Sequence, residues 1–204
     1  LLRRAHGTVR RFLQLAFWQG MIQPVDTPLA GLILLRPRIF GDQRGQFLES
    51  FNQQQFNEVV GEPIDFVQDN ESTSSKDVLR GLHFQMDPHA QGKLVHVVKG
   101  AVLDVCLDVR PNSVTFGQHF KVELNGTTKE MLWIPAGFAH GFVALEDQTI
   151  FAYKCTAYYD PTAERTVRWN DPDLAIEWGV LGPLISAKDQ EGLMFNTIKD
   201  LLSV

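Results

Sequence analysis

The run V-L-R-G-L-H-F-Q, residues 78–85, sets an arginine and a histidine inside an otherwise apolar segment. Histidine titrates near neutral pH, so His83 has the chemistry for an acid–base step, although a lone strand histidine is more often a satisfied core residue. A sheltered guanidinium needs an anion or an acceptor, so Arg80 implies a polar partner or ligand. Three positions separate them, and a regular strand aims such residues at opposite faces. Gly81, lying between, supports a bulge that would bring both inward. Lys93 opens the next apolar run, K-L-V-H-V-V, at a place where a solvated edge lysine is the ordinary occupant.

All three tyrosines fall within F-A-Y-K-C-T-A-Y-Y-D-P, residues 151–161. Read as one strand, Tyr153 and Tyr159 share a face, about 20 Å apart at the usual rise. Two phenols so placed could reach different parts of one long ligand. Tyr158, on the other face, is expected to serve packing only. Further polar clusters are F-G-D-Q-R-G-Q-F-L-E-S with Arg44 and Glu49, Q-D-N with Gln68 and Asn70, and S-A-K-D-Q with Lys188 and Asp189. Each by itself reads as a loop.

Five histidines follow the first 20 residues: His83, His89, His96, His119 and His140. Neutral imidazoles are good ligands for zinc, iron or nickel. P-A-G-F-A-H, 135–140, has the P-x-G-x-x-H form of the second motif of cupin jelly rolls. The H-x-H and trailing glutamate of the first cupin motif are missing around His83. The expectation is therefore a cupin-like chain without a metal triad.

Many short runs could carry these residues. G-L-I-L-L-R-P, Q-F-L-E-S, I-D-F-V-Q, V-L-R-G-L-H-F-Q, K-L-V-H-V-V-K-G, A-V-L-D-V-C-L-D-V, H-F-K-V-E-L-N, E-M-L-W-I-P, G-F-V-A-L and T-I-F-A-Y-K-C-T-A-Y-Y read as strands. Gly100, residues 110–113, Asn125-Gly126 and residues 146–148 break them. Helical patterns are sparse: 52–61 with Gly61 as its stop, one turn at 173–178, and a short helix near the C-terminus. Strands at this spacing predict a sandwich or barrel such as a jelly roll.

The 204 residues are 44% hydrophobic and 21% charged, the composition of a folded domain. The net charge of −5 argues against a nucleic-acid surface. No stretch is long enough to span a bilayer. Two cysteines without a C-x-x-C pair point to a reducing compartment, so a cytoplasmic location is expected. Residues 1–20 hold four arginines and no acid. They read as a targeting peptide or as sequence upstream of a start at Met21, leaving one domain over 21–204.

Taken in order, F-G-D-Q-R-G-Q-F-L-E-S-F, F-V-Q-D-N-E-S, L-R-G-L-H-F-Q, Q-G-K-L-V-H-V-V-K-G-A-V-L-D-V-C-L-D-V-R, W-I-P-A-G-F-A-H-G-F, Y-K-C-T-A-Y-Y-D-P and S-A-K-D resemble the dTDP-4-dehydrorhamnose 3,5-epimerase family of the cupin fold. The resemblance covers nearly all of residues 21–190. It implies a mainly β cupin jelly roll (a double-stranded β-helix) with a few short helices, working as a homodimer. The implied reaction is 3,5-epimerisation of dTDP-4-dehydro-6-deoxy-D-glucose to dTDP-4-dehydro-L-rhamnose, without cofactor or metal. His83 would be the base, Asp189 would orient it, Tyr153 would be the acid on the opposite face, and Lys93 would hold the enolate oxygen. Arg80 and His140 would line the sugar pocket. Arg44, Glu49, Gln68, Asn70 and Lys188 would hold the nucleotide and diphosphate, Tyr159 would stack on thymine, and Glu164 would also fall at a binding position. The chain departs from the family in Phe84, where tyrosine is common, and in a tail without the expected proline. Residues 1–20 have no family counterpart.

Three other readings stay open on the residues. One is epimerisation of C3 or C5 alone, or a 3,4-ketoisomerase, on a related dTDP-keto-sugar. The second is a metal-dependent cupin enzyme using His83, His89, His96 or His140. The third is a non-catalytic sugar-binding jelly roll.

Overall fold

The computed structural model describes residues 20–202. The leader expected over 1–20 lies, apart from Gly20, outside the described residues. Among the described residues there are fourteen strands and three short helices. One sheet has the order β1 (Ile22–Asp26), β2 (Ile33–Pro37), β10 (Met131–Ile134), β7 (Lys93–Lys99), β12 (Thr149–Cys155), β5 (Gln68–Ser74). The other runs β13 (Glu164–Thr166), β6 (Val78–Gln85), β11 (Phe138–Ala144), β8 (Ala101–Asp108), β9 (His119–Asn125), with β14 (Leu184–Ile185) parallel to β6. A separate hairpin joins β3 (Ile39–Asp42) to β4 (Gly45–Leu48). Every other pairing between these named strands is antiparallel, as a jelly-roll sandwich requires.

The central strands are buried on two faces, which explains why runs such as β8, β10 and β11 read as continuous rather than alternating. Between the sheets pack Leu34, Val95, Val97, Leu132 and Phe151 from one side and Val102, Cys106, Leu124, Phe138 and Phe142 from the other. The outer face of the first sheet carries Leu35, Leu94 and Trp133 beneath α1 (Gln53–Val60). Asn52 caps that helix by accepting from Gln55 N at 3.1 Å, and Gly61 ends it at φ 88°. The outer face of the second sheet, with Leu79, Leu82 and Phe84, is covered by Val167, Leu174, Ile176, Trp178, Phe195 and Ile198 from the C-terminal part of the chain.

Five sequence expectations change. I-D-F-V-Q is not a strand; β5 begins at Gln68 and is the polar run Q-D-N-E-S-T-S, whose inward residues are hydrogen-bonding rather than apolar. The expected helical turn at 173–178 is a non-helical turn with Ala175 at φ 47°. S-A-K-D-Q is not a plain loop, because Ala187–Gln190 form a helical turn, α2. The tyrosine strand ends at Cys155, so Tyr158 and Tyr159 belong to the loop beyond it. Tyr158 is 70% exposed and does not serve packing. The terminal helix, α3, spans Phe195–Leu201.

Candidate active site

β6 and β11 lie side by side, with His83 opposite His140 and Arg80 opposite Phe142. Two β6 residues, Gly81 and Leu82, thus oppose Gly141 alone, which is a bulge. Glycine is required there. Gly81 has φ 123°, and a Cβ on it would stand 2.5 Å from Gly141 Cα and 2.8 Å from His140 O. The bulge undoes the odd spacing, and Arg80 and His83 both face one cavity.

That cavity, about 670 Å³, is of ligand-binding size. Its wall includes His83, Lys93, Tyr153 and Asp189, together with Asn70, Arg80, His140, Tyr159, Glu164 and Lys188. β6, β7, β11 and β12 from the two sheets therefore converge on one space. His83 Nε2 lies 2.6 Å from Asp189 Oδ1. Asp189 Oδ2 also accepts from Gly81 N at 3.3 Å, and Ser186 Oγ accepts from Asp189 N at 3.1 Å. Burial pushes the Asp189 carboxyl up, but bonds from His83 and Gly81 outweigh it and hold it below its ordinary value. The carboxylate orients the ring through Nε2 and leaves Nδ1 as the ring nitrogen not engaged by Asp189.

Lys93 is only 9% exposed, unlike the solvated edge lysine that its position first suggests. It sits on β7, an interior strand flanked by β10 and β12. Its ammonium makes no hydrogen bond or ion pair among the described residues. Burial lowers its pKa, against the opposing pull of Cys155, Cys106, Glu164 and Asp104. Burial likewise raises the Tyr153 phenol, which stays protonated at neutral pH.

A second histidine–carboxylate pair backs the cavity: His140 Nε2 is 2.8 Å from the fully buried Asp104 Oδ2. Asp104, Cys106 and His140 form a compact set of ligand-type atoms. The Cys106 thiol donates to Asp104 Oδ1 at 3.7 Å, and burial with the Asp104 charge pushes it well above 9. His140 and the protonated Cys106 thiol thus both bond to the Asp104 carboxylate. His89 instead approaches Asp160 at 3.4 Å, and His96 points away from the Lys93 face of β7.

At the other end, Tyr159 donates its hydroxyl to Glu164 Oε2 at 2.9 Å, and Lys188 pairs with the same carboxylate. Gln68 borders this end: its Oε1 accepts from Tyr159 N at 2.9 Å and its Nε2 donates to Asn70 Oδ1 at 3.0 Å. Arg80 Nε donates to Ser74 Oγ at 3.2 Å. Arg44 and Glu49 are not brought to this cavity. Arg44 pairs with Asp42 on the exposed hairpin, and Glu49 accepts from Gln55 Nε2 at 3.1 Å. Sequence reasoning missed Asp104, Ser72 and Ser74. Asp104 had a signal, as an acid inside the apolar run of β8. Ser72 lines the cavity and holds the one buried side-chain N or O atom without a partner among the described residues.

Known proteins resemble this chain in sequence and fold. The chain matches the dTDP-4-dehydrorhamnose 3,5-epimerase family over residues 26–197. The dTDP-4-dehydrorhamnose 3,5-epimerase of Escherichia coli is 51% identical over 167 residues, 81% of this chain and 90% of that protein. The dTDP-6-deoxy-D-glucose-3,5-epimerase RmlC of Legionella pneumophila, solved in complex with dTDP-4-keto-L-rhamnose, superposes with a TM-score of 0.85 at 45% identity, covering 89% of this chain and 96% of that one. The dTDP-4-dehydrorhamnose 3-epimerase of Streptomyces niveus is 36% identical over 172 residues, 84% of this chain and 83% of its own. On sequence and fold together, this chain belongs to the dTDP-4-dehydrorhamnose 3,5-epimerase family.

Proposed function

We propose that the protein epimerises dTDP-4-dehydro-6-deoxy-D-glucose at C3 and C5, giving dTDP-4-dehydro-L-rhamnose. The observation that carries this reading is the His83–Asp189 pair, with its buried carboxylate, sharing a cavity with Tyr153 and an unpaired Lys93. His83 removes the proton from the carbon beside the C4 ketone. The electron pair moves onto the ketone oxygen, where the Lys93 ammonium stabilises the enolate. Tyr153 returns a proton to the opposite face of the carbon and is reprotonated from water, while His83 gives its proton up to water and is again a base. A second round at the other α-carbon completes the product. Neither round changes oxidation state, so the reaction needs no redox partner.

At the far end, Tyr159 stacks on thymine in this reading, while Gln68, Asn70, Glu164 and Lys188 hold the nucleotide and diphosphate. Arg80 and His140 bound the sugar. Arg44 and Glu49 would act from a second copy of the chain in a homodimer. In support, the hairpin that carries Arg44 exposes Phe40 and Phe47. Among the described residues no helix is long and apolar enough to cross a membrane, and both cysteines are buried and unpaired, in keeping with a cytoplasmic location.

The test is incubation with dTDP-4-keto-6-deoxyglucose in D₂O, followed by NMR. Deuterium at both C3 and C5 is expected, with activity unaffected by EDTA. Label at one carbon alone would show a mono-epimerase, and EDTA-sensitive turnover would show a metal enzyme.

A further inference from the structure

We infer that Gln85 is a positioning residue for the nucleobase end of the cavity, holding Tyr159 in place before the ligand arrives; this rests on the nucleotide-sugar reading above. Gln85 ends β6, two residues beyond His83 and on the same strand face, and is 5% exposed. Its amide is fully used. Nε2 donates to the carbonyl of His89 at 2.6 Å and to that of Tyr158 at 3.2 Å, and Oε1 accepts from Asp160 N at 2.8 Å. The last two bonds bracket Tyr159.

Tyr159 itself is 50% exposed and belongs to none of the packed core clusters. It lies four residues beyond the end of β12, so no strand ladder fixes it. Gln68 takes its N–H, Glu164 takes its hydroxyl, and Gln85 takes the peptide groups on either side. Polar side chains from β5, β6 and β13 thus orient a ring that packing does not. A ring oriented beforehand loses less freedom when a base stacks on it, and the saving appears as affinity. Glutamine suits this place because one planar group offers an acceptor and two donors. Without it, the Tyr158 carbonyl and the Asp160 N–H lie near enough to the surface to find water. The loop would then loosen while the fold stays intact.

The experiment is a double-mutant cycle on Gln85→Ala and Tyr159→Ala, reading dTDP affinity by calorimetry along with kcat and KM. Gln85→Ala is expected to weaken dTDP binding and raise KM about 10-fold, the size of a lost stacking contact. The change in kcat should be below about threefold, and the added loss in the Tyr159→Ala background should be less than about threefold. Equal losses in both backgrounds, or a fall in kcat with KM unchanged, would show a purely structural role and overturn the inference. If Gln85→Ala does not fold, Gln85→Glu keeps the shape and the acceptor but turns a carboxylate toward two carbonyls. The same weakening of dTDP binding is expected of it, and unchanged affinity overturns the inference. A wild type that does not bind dTDP overturns both the functional reading and this one. A wild type that binds, with Gln85→Ala binding equally well, overturns this one alone.

Discussion

His83 and Asp189 are 106 positions apart in the chain and 2.6 Å apart between Nε2 and Oδ1. The pair exists because β14 lies parallel to β6, which brings α2 and its buried carboxylate beneath the bulge at Gly81. Its strength comes from the low exposure of Asp189 and from the N–H of Gly81, which shares the negative charge.

Asp189→Asn keeps the shape and removes the charge that fixes the imidazole tautomer. A kcat lower by about 10²–10⁴-fold is expected, with KM nearly unchanged. Because the Asp189 carboxyl sits below its ordinary 3.8, its stabilising contribution is present above that pH and is lost as pH falls through the folded value. The wild-type pair therefore stays charge-assisted across the neutral range. Steady-state kinetics from pH 5 to 9 check both points.

Lys93→Met should separate activity from stability. Removing the enolate partner lowers kcat by about 10²–10³-fold. Removing an unpaired buried ammonium raises stability by ~1 kcal/mol, read as a higher Tm. In the wild type the lowered lysine pKa means that the unfolded chain binds more protons between that value and 10.5. Wild-type stability therefore rises with pH through this window as the rate falls, and Lys93→Met loses that slope. Thermal melts and kinetics between pH 7 and 10 test the opposed trends.

Tyr153→Phe removes the proposed acid and leaves the base. Product should be lost while some exchange of substrate hydrogen with solvent persists, visible by NMR in D₂O. Complete loss of deuterium uptake at C3 and C5 would count against Tyr153 acting solely as the acid.

Gly81→Ala tests the bulge. Its Cβ meets backbone at 2.5 Å and 2.8 Å, with no flexible side chain to yield. A stability loss of about 2 kcal/mol or more in urea denaturation is expected, together with loss of activity as His83 leaves Asp189.

Asp108, fully buried at the end of β8, accepts from Arg110, Ser113 and Thr115. Burial raises its carboxyl, but these bonds outweigh burial and bring it to about 2. A folded value below the ordinary 3.8 gives stability that is present above that pH and lost on acidification toward 2. Asp108→Asn should lower stability at pH 7 and flatten its slope between about pH 4 and 2, measured by urea denaturation across that range.

Most of the fold was legible locally. The runs V-L-R-G-L-H-F-Q and H-F-K-V-E-L-N coincide with β6 and β9 to the residue, because apolar runs bounded by turn residues carry their own limits. β5 was not legible, since its inward side chains Asn70, Ser72 and Ser74 are polar and answer to the cavity and its surroundings. Tyr159 was mistaken for a strand residue because tyrosine suits strands. The hydrogen bonds that end the strand and hold the loop come from Gln68 and Gln85, 91 and 75 positions away from their partners.

The types and order of the chemical groups, including a glycine where the backbone had to turn, were set by the linear chain. Periodicity and residue chemistry are short-range properties, and they suffice to predict a β sandwich carrying a histidine, a lysine and a phenol. Whether Lys93 was solvated or buried, which carboxylate met His83, and which residues stayed away from the cavity depended on the stacking of two sheets. Burial and long-range pairing arise only when distant segments share one space, so the tertiary structure alone decided them.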